Sequence, residues 1–223
     1  MRLKTFLLLL MLALSGCHAR EAQTPEDTGG MPYGQVGFAF FTPRALPAVV
    51  TKALIIDNEK VVYTYHTLDS TQSDPDVVGT WNSRTDDGGI QFNKARHPPA
   101  LMLFCWDSVI DKKTYETSIV FSRSLREKMS TPTGKDRLGN TAWYDTLLFG
   151  LAPEGRVRIW LQNSAGGDNI PVEPVKITTK SGDQLDACKL VPPRIDFNYS
   201  IPDGYDQFIK DFIKGKTYPY GSW

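Results

Sequence analysis

Runs of β-branched and aromatic residues, roughly five to ten long and each closed by Gly, Pro, Asn or Asp, recur along most of the chain. That punctuation makes most segments strands. Val36 to Phe41 is the first. Ala48 to Ile56 and Lys60 to Thr67 flank the turn-forming Asp57-Asn58-Glu59 and are expected to pair as an antiparallel hairpin. In its second arm Val61, Tyr63 and Tyr65 face one way, while Val62, Thr64 and His66 face the other. Leu68 to Asp76 is polar and acidic, hence a loop. Val77 to Trp81 and Ile90 to Phe92 flank Ser83 to Gly89, where Asp86-Asp87-Gly88-Gly89 turns tightly because glycine accepts positive φ. After Pro98-Pro99, Ala100 to Trp106 is almost continuously apolar and reads as a central strand, with Lys113 to Phe121 pairing back on it.

Helical signals are confined to two places. Ser122 or Ser124 caps a short helix through Lys128 or Met129, which Pro132 and Gly134 terminate. Later, Pro202-Asp203 provides a cap, Tyr205, Phe208, Ile209, Phe212 and Ile213 form an i, i+3, i+4, i+7, i+8 stripe, and Gly215 stands at the C-cap. Its aromatic side should pack on a sheet. Between the helices, Thr141 to Leu151 and Gly155 to Gln162 make a hairpin across Ala152-Pro153-Glu154-Gly155. Val172 to Lys180 is a further strand, placed near an edge by Pro174. With about eight to ten strands and no βαβ alternation, the chain is expected to be mainly β, a β-rich α+β domain of antiparallel sandwich-like sheets with a short middle helix and a C-terminal amphipathic helix.

The N-terminus carries a different signal. Arg2 and Lys4 precede an apolar stretch from Phe6 to Leu14, too short to span a bilayer, and Leu14-Ser15-Gly16-Cys17 resembles the lipobox of bacterial lipoproteins. The resemblance implies cleavage after residue 16 and lipidation of Cys17. A diacylglycerol plus an amide-linked acyl chain such as palmitate, at about 0.8 kcal/mol per buried CH₂, anchors durably. His18 stands where an inner-membrane retention signal would place Asp, so the expected location is the outer membrane of a Gram-negative cell, facing the periplasm. The divisions expected are a signal peptide over 1–16, a lipidated cysteine and flexible tether over 17–31, and one β-rich domain over 32–223.

Charge and cysteines narrow the partners. Without Arg2 and Lys4 the 25 basic residues become 23 against 25 acidic ones, a balance of minus two. No long Lys/Arg cluster appears, which argues against nucleic acid. Once Cys17 carries lipid, Cys105 and Cys188 remain. In an oxidising compartment they either form a disulfide or lie as two separately buried thiols, Cys105 being inside an apolar run.

Searches for catalytic chemistry return little. There is no Gly-x-Ser-x-Gly elbow, no His-Glu-x-x-His and no Cys-x-x-Cys. His66 falls on a strand and His97 in a loop before the prolines. The carboxylate pairs Asp86-Asp87, Asp107-Asp111 and Asp183-Asp186 fit turns and solvated faces better than an acid and base pair. No cofactor, metal site or small-molecule substrate is expected, and the protein reads as a non-enzyme. If it binds another protein, loops on a rigid sheet are the natural contacts: Trp81 beside Asp74, Asp76, Asp86 and Asp87 would offer an aromatic anchor in an acidic surface. Tyr218, Tyr220 and Trp223 form a second aromatic group.

Pro99-Ala100-Leu101-Met102-Leu103-Phe104-Cys105-Trp106-Asp107-Ser108 with Lys113-Thr114-Tyr115 resembles a block of the bacterial lipoprotein family called domain of unknown function 2931. A second block, Leu148-Phe149-Gly150-Leu151-Ala152-Pro153-Glu154-Gly155-Arg156-Val157-Arg158-Ile159-Trp160-Leu161, is similar to that family's hairpin, and Tyr218-Pro219-Tyr220-Gly221 to its closing motif. The resemblance brings no catalytic residues. It implies a context similar to immunity proteins that neutralise type VI secreted phospholipase effectors, with structural or envelope maintenance as the alternative.

Overall fold

The computed structural model describes residues 30–66, 72–83, 93–193 and 205–223. Two sheets pack face to face. The first is ordered β12 (Ile170–Pro171), β11 (Arg156–Asn163), β10 (Tyr144–Ala152), β1 (Val36–Pro43) and β4 (Gln72–Asp74), with β5 (Asn93–Ala95) also paired to β1. The second is ordered β13 (Lys176–Ser181), β7 (Lys113–Val120), β6 (Pro99–Ser108), β2 (Ala48–Asp57) and β3 (Val62–His66). A small hairpin of β8 (Gly134–Lys135) and β9 (Thr141–Ala142) stands apart. Among the described residues there are two α-helices: α1 (Arg123–Met129) follows Ser122, and α2 (Gln207–Ile213) follows Asp206.

The mainly β, sandwich-like architecture with one middle and one C-terminal helix is therefore as the sequence implies. The second sheet is antiparallel throughout, and its β2–β3 and β6–β7 hairpins follow the expected turns. In the first sheet β1 runs parallel to both β10 and β4, a pairing that needs long connections and leaves no turn signal.

The core between the sheets follows from strand alternation. Phe38, Phe40, Leu147, Phe149 and Ile159 point inward from the first sheet, and Val50, Ile55, Met102, Phe104, Trp106 and Ile119 from the second. Phe40 stands with its ring centroid 5.1 Å from Phe104 and 5.3 Å from Phe149, and Phe104 lies 5.8 Å from Phe149. Each such ring contributes about 1.5–3 kcal/mol by burial and each good ring pair about 0.5–1.5 kcal/mol more. From α1, Leu125 and Met129 are buried in this cluster, and Arg126 pairs with Glu59 of the β2–β3 turn at 2.9 Å.

Polar pins hold the turns. The buried Asp57 carboxylate accepts the Glu59 and Val61 amides at 2.8 and 2.9 Å and the Tyr63 hydroxyl at 3.2 Å. At the opposite end Asp111 accepts the hydroxyls of Tyr115 (3.0 Å) and Tyr218 (2.8 Å) and the Glu154 amide (2.9 Å). It thereby joins the β6–β7 connection, the β10–β11 turn and the C-terminal segment. Glu154 takes a φ of 65° there, at the turn expected over residues 152–155.

Cys105 and Cys188 are bonded, settling the two readings of these cysteines. Cys105 alternates with the inward Phe104 and Trp106, so the disulfide straps the segment around Cys188 onto the outer face of the second sheet. The buried Glu116, opposite Cys105 on β7, accepts the Asp186 and Cys188 amides at 3.0 and 2.9 Å, and Lys180 pairs with Asp186.

Several boundaries differ from expectation. Residues 77–81 form no strand beyond an isolated Thr80–Ser222 bridge, because they cover a sheet face instead of extending it. Part of the expected acidic loop is β4. The expected strand from Thr141 is two, split at Trp143, whose amide donates to Ser164 Oγ at 3.0 Å. β13 starts only after Pro174, at the predicted edge. On α2, Ile209 and Ile213 pack with Tyr205 against Ala45, Leu46 and Ile110, whereas Phe208 faces solvent. Gly215 sits at φ 74° beyond the helix, as expected. The cap at Pro202-Asp203, the strand at Ile90 to Phe92, the turn Asp86-Asp87-Gly88-Gly89, Cys17 and the signal segment lie outside the described residues.

The disulfide closes a sequence separation of 83 residues. Replacing Cys105 and Cys188 together by serine should lower the unfolding free energy by about 4.5 kcal/mol on the chain-entropy model. Denaturant titration of the variant, and of the native chain under strong reductant, should give matching midpoint shifts.

Candidate protein-binding site

Trp81 is the first residue to locate, since a partner anchor needs an accessible ring. Its ring lies 5.7 Å from Phe41, 5.4 Å from Trp160 and 5.1 Å from Trp223, on the outer face of the first sheet. That face is apolar because Ala39, Phe41, Leu148 and Trp160 alternate with the inward core residues. Gly150 makes the space: a Cβ there would come within 2.7 Å of the Trp81 ring and 2.8 Å of Phe41. Half-buried in this cluster, Trp81 serves packing first. Trp223 seals the same layer, its indole N–H donating to the Pro219 carbonyl at 3.0 Å.

Of the acidic residues expected beside it, Asp74 and Asp76 are described. Asp74 is buried, with its carboxylate accepting the Asp76 amide at 2.8 Å, so it shapes a turn and presents no charge to a partner. Asp76 is exposed. Asp86 and Asp87 lie outside the described residues. The expected aromatic and acidic surface thus reduces, among the described residues, to Asp76 near a packed tryptophan.

Among the residues weighed for catalysis, His97, Asp107 and Asp111 make defined contacts within the fold. His97 Nδ1 lies 3.2 Å from Asp57 Oδ2, an orientation that a base in a catalytic triad would share. Its Nε2 edge packs on Gly30, where a Cβ would fall 1.7 Å away. Asp107 is buried and accepts the Thr114 hydroxyl at 2.7 Å. Asp111 is occupied by the three donors described above. No cluster of ligands able to hold a metal ion occurs among the described residues.

A different surface stands out around α1 and the β8–β9 hairpin. An open cleft of about 500 Å³ is walled by Glu127, Lys128, Pro132, Thr133, Tyr144 and Ile170. Its shape follows from sequence: Pro132 ends the helical run, Thr133 enters the hairpin, and β10 and β12 close the other side. The Thr133 amide donates to the Ala142 carbonyl at 2.8 Å and Asn163 Nδ2 donates to Thr133 Oγ1 at 3.0 Å, so the hairpin base is tied to the body.

Beyond that base the chain turns through residues 136–140 and carries Leu138 at 87% exposure. The signal for this was present in Asp136-Arg137-Leu138-Gly139-Asn140, an apolar residue set in the middle of turn formers. Turn composition marks where the chain reverses but says nothing of what surrounds the middle residue.

Below the cleft, Asp145 follows the lining residue Tyr144. Burial pushes its carboxyl above its ordinary value, while the Thr146 hydroxyl and the nearby Lys94 oppose the shift. Tyr33, whose ring is 5.7 Å from Trp143, has its hydroxyl driven up by burial and then by Asp145.

The family described as "Protein of unknown function (DUF2931)" matches residues 19–221. The chain belongs to this family. No curated protein and no solved structure matches it. For this DUF2931 protein the two sequence blocks singled out above are β6 with the start of β7, and β10 with β11: the strands that build the inter-sheet core. No helix among the described residues is long and apolar enough to cross a membrane.

Two measurements check this placement. Trp81→Ala should cost about 2–3 kcal/mol of stability, a little less than a fully buried tryptophan, read by thermal or denaturant unfolding. For Asp145 the folded carboxyl is raised, so its contribution is most favourable below its unfolded pKa and is lost as pH rises through the folded one. Asp145→Asn should therefore be more stable than the native chain at pH 7, with the gain fading as pH falls below about 4, near the unfolded carboxyl value.

Proposed function

We propose that this protein is a lipid-anchored, non-enzymatic protein-binding module of the periplasm, and specifically an immunity protein that neutralises a type VI secreted phospholipase. One observation carries the reading: a braced β body holds a short hairpin whose apolar tip faces solvent and whose base, at Thr133, lines an open cleft. Binding surfaces of tight inhibitors are built this way, with a few apolar anchors on a scaffold that loses little entropy on association.

Other features support it. The Leu14-Ser15-Gly16-Cys17 motif would attach Cys17 to the outer membrane and the polar stretch after it would act as a tether, keeping the domain beside the lipid that the effector attacks. The disulfide suits an oxidising compartment. Catalytic work is not needed for such a role, since masking an active site or a membrane-docking face requires only affinity, with at least about 1,200 Å² buried in total.

Co-purification of the full chain, in mild detergent, with the product of the adjacent gene, followed by a lipid hydrolysis assay, tests the proposal. A stoichiometric complex with silenced hydrolysis is expected. Full phospholipase activity in the presence of excess protein would end the immunity reading and favour an envelope-maintenance role.

A further inference from the structure

We infer that Leu138, at the tip of the β8–β9 hairpin, is the anchor of the partner contact, and that it enters an apolar recess rimmed by carboxylates on the partner enzyme. This rests on the capture reading above and adds the site and the chemistry of the surface it fits.

A lone exposed leucine is ordinary on a protein surface. Leu138 combines a loop fixed by its own hydrogen bonds with cations on both sides of it, Lys135 and Arg137. Asp136 Oδ1 accepts the amides of Leu138 and Asn140, both at 2.8 Å, and its Oδ2 accepts Asn140 Nδ2 at 3.1 Å. The Asp136 amide donates back to the Asn140 carbonyl at 2.9 Å, and the Gly139 amide to the Asp136 carbonyl at 3.1 Å. Gly139 takes φ 85°, which lets the chain reverse within five residues. Below the tip, Lys135 Nζ donates to Thr141 Oγ1 at 3.1 Å. The Asn140 side chain first, and then the backbone amides, hold the Asp136 carboxyl below its ordinary value, so the staple is an ionised carboxylate at neutral pH. The backbone of the tip is already ordered, and little of the usual ordering cost remains when a partner closes on it.

Charge selects the partner. Arg137 and Lys135 flank the leucine, and Lys128 stands on the cleft wall, all exposed. The nearby acids are Asp136, whose oxygens are occupied by the turn, and Glu127 on the cleft wall. A recess that takes Leu138 will therefore meet cations around it, and complementary carboxylates on its rim would speed encounter and fix orientation. Pro132, Tyr144 and Ile170 in the adjoining cleft give the rest of the contact an apolar floor.

The probe is the purified product of the adjacent gene, assayed for phospholipase activity and titrated with the full chain in mild detergent. Leu138→Asp should weaken the complex at least about thirty-fold, the scale of a central anchor. Leu138→Met, and Leu190→Asp at another exposed leucine (92%), should stay within about threefold of the native chain. The pair Lys135→Glu and Arg137→Glu should slow association about tenfold at low salt, with the difference shrinking at high salt. Hydrogen exchange on the native chain should show residues 134–142 protected in the complex, a readout independent of any variant. If the native chain binds and Leu138→Asp binds equally well, the tip is not the anchor while the capture reading stands. If the native chain does not bind, both fall. If phosphatidylglycerol vesicles protect residues 134–142 of the native chain from hydrogen exchange and Leu138→Asp leaves the complex intact, the tip is a lipid contact and the proposal is overturned.

Discussion

Burial of β1 on both faces is the constraint from which the rest of the molecule follows. Phe38 and Phe40 point into the space between the sheets, while Ala39 and Phe41 point out of it, and all four are buried. A strand with two apolar faces cannot lie at a solvated surface, so each face needs a cover. The second sheet supplies one. The other is assembled from Val77, Trp81 and Trp223, carried by a short connecting segment and by the chain terminus. The parallel neighbours of β1 are part of the same arrangement, because a strand that sits centrally must take partners from distant parts of the chain.

This layering explains why the polar pins lie where they do. Asp57 and Asp111 each gather three or more donors at opposite ends of the second sheet. Each converts a connection that would carry unsatisfied backbone groups into a fixed corner. Glu116 performs the same service beside the disulfide, holding the amides of the strapped segment. Asp111, one of the carboxylates that the sequence offers as an acid or base, is thus occupied in closing a corner. Among the described residues, the region after α1 stays open: Pro132 stops the helix and the small hairpin departs from the sheets, carrying Leu138 into solvent.

Much of the fold was legible before any coordinates. The β2–β3, β6–β7 and β10–β11 hairpins, α1, the stripe of α2 and its terminating Gly215, and the edge position after Pro174 all rest on local chemistry: alternation, turn residues, caps. The candidate site was much less legible. Trp81 and Asp74 look like surface residues because they stand among Asp, Asn, Ser and Gly, and only the sheet face above Gly150 and the turn at Asp76 show them to be packed. Leu138 looked unremarkable for the converse reason, being one apolar residue among turn formers.

The sequence by itself determined which segments are strands, where they reverse, which side chains share a face, and that Cys105 and Cys188 were available to each other. It also carries the family membership, since the matching blocks are the core strands. The tertiary structure alone decided that β1 pairs in parallel with β10 and β4, that the outer face of the first sheet is sealed by tryptophans from two remote segments, and that a leucine is left outside. The reason is physical. Periodicity and turn chemistry act between neighbours along the chain, whereas what lies opposite a given face depends on segments brought together from far apart by burial, which is non-directional and leaves no local mark.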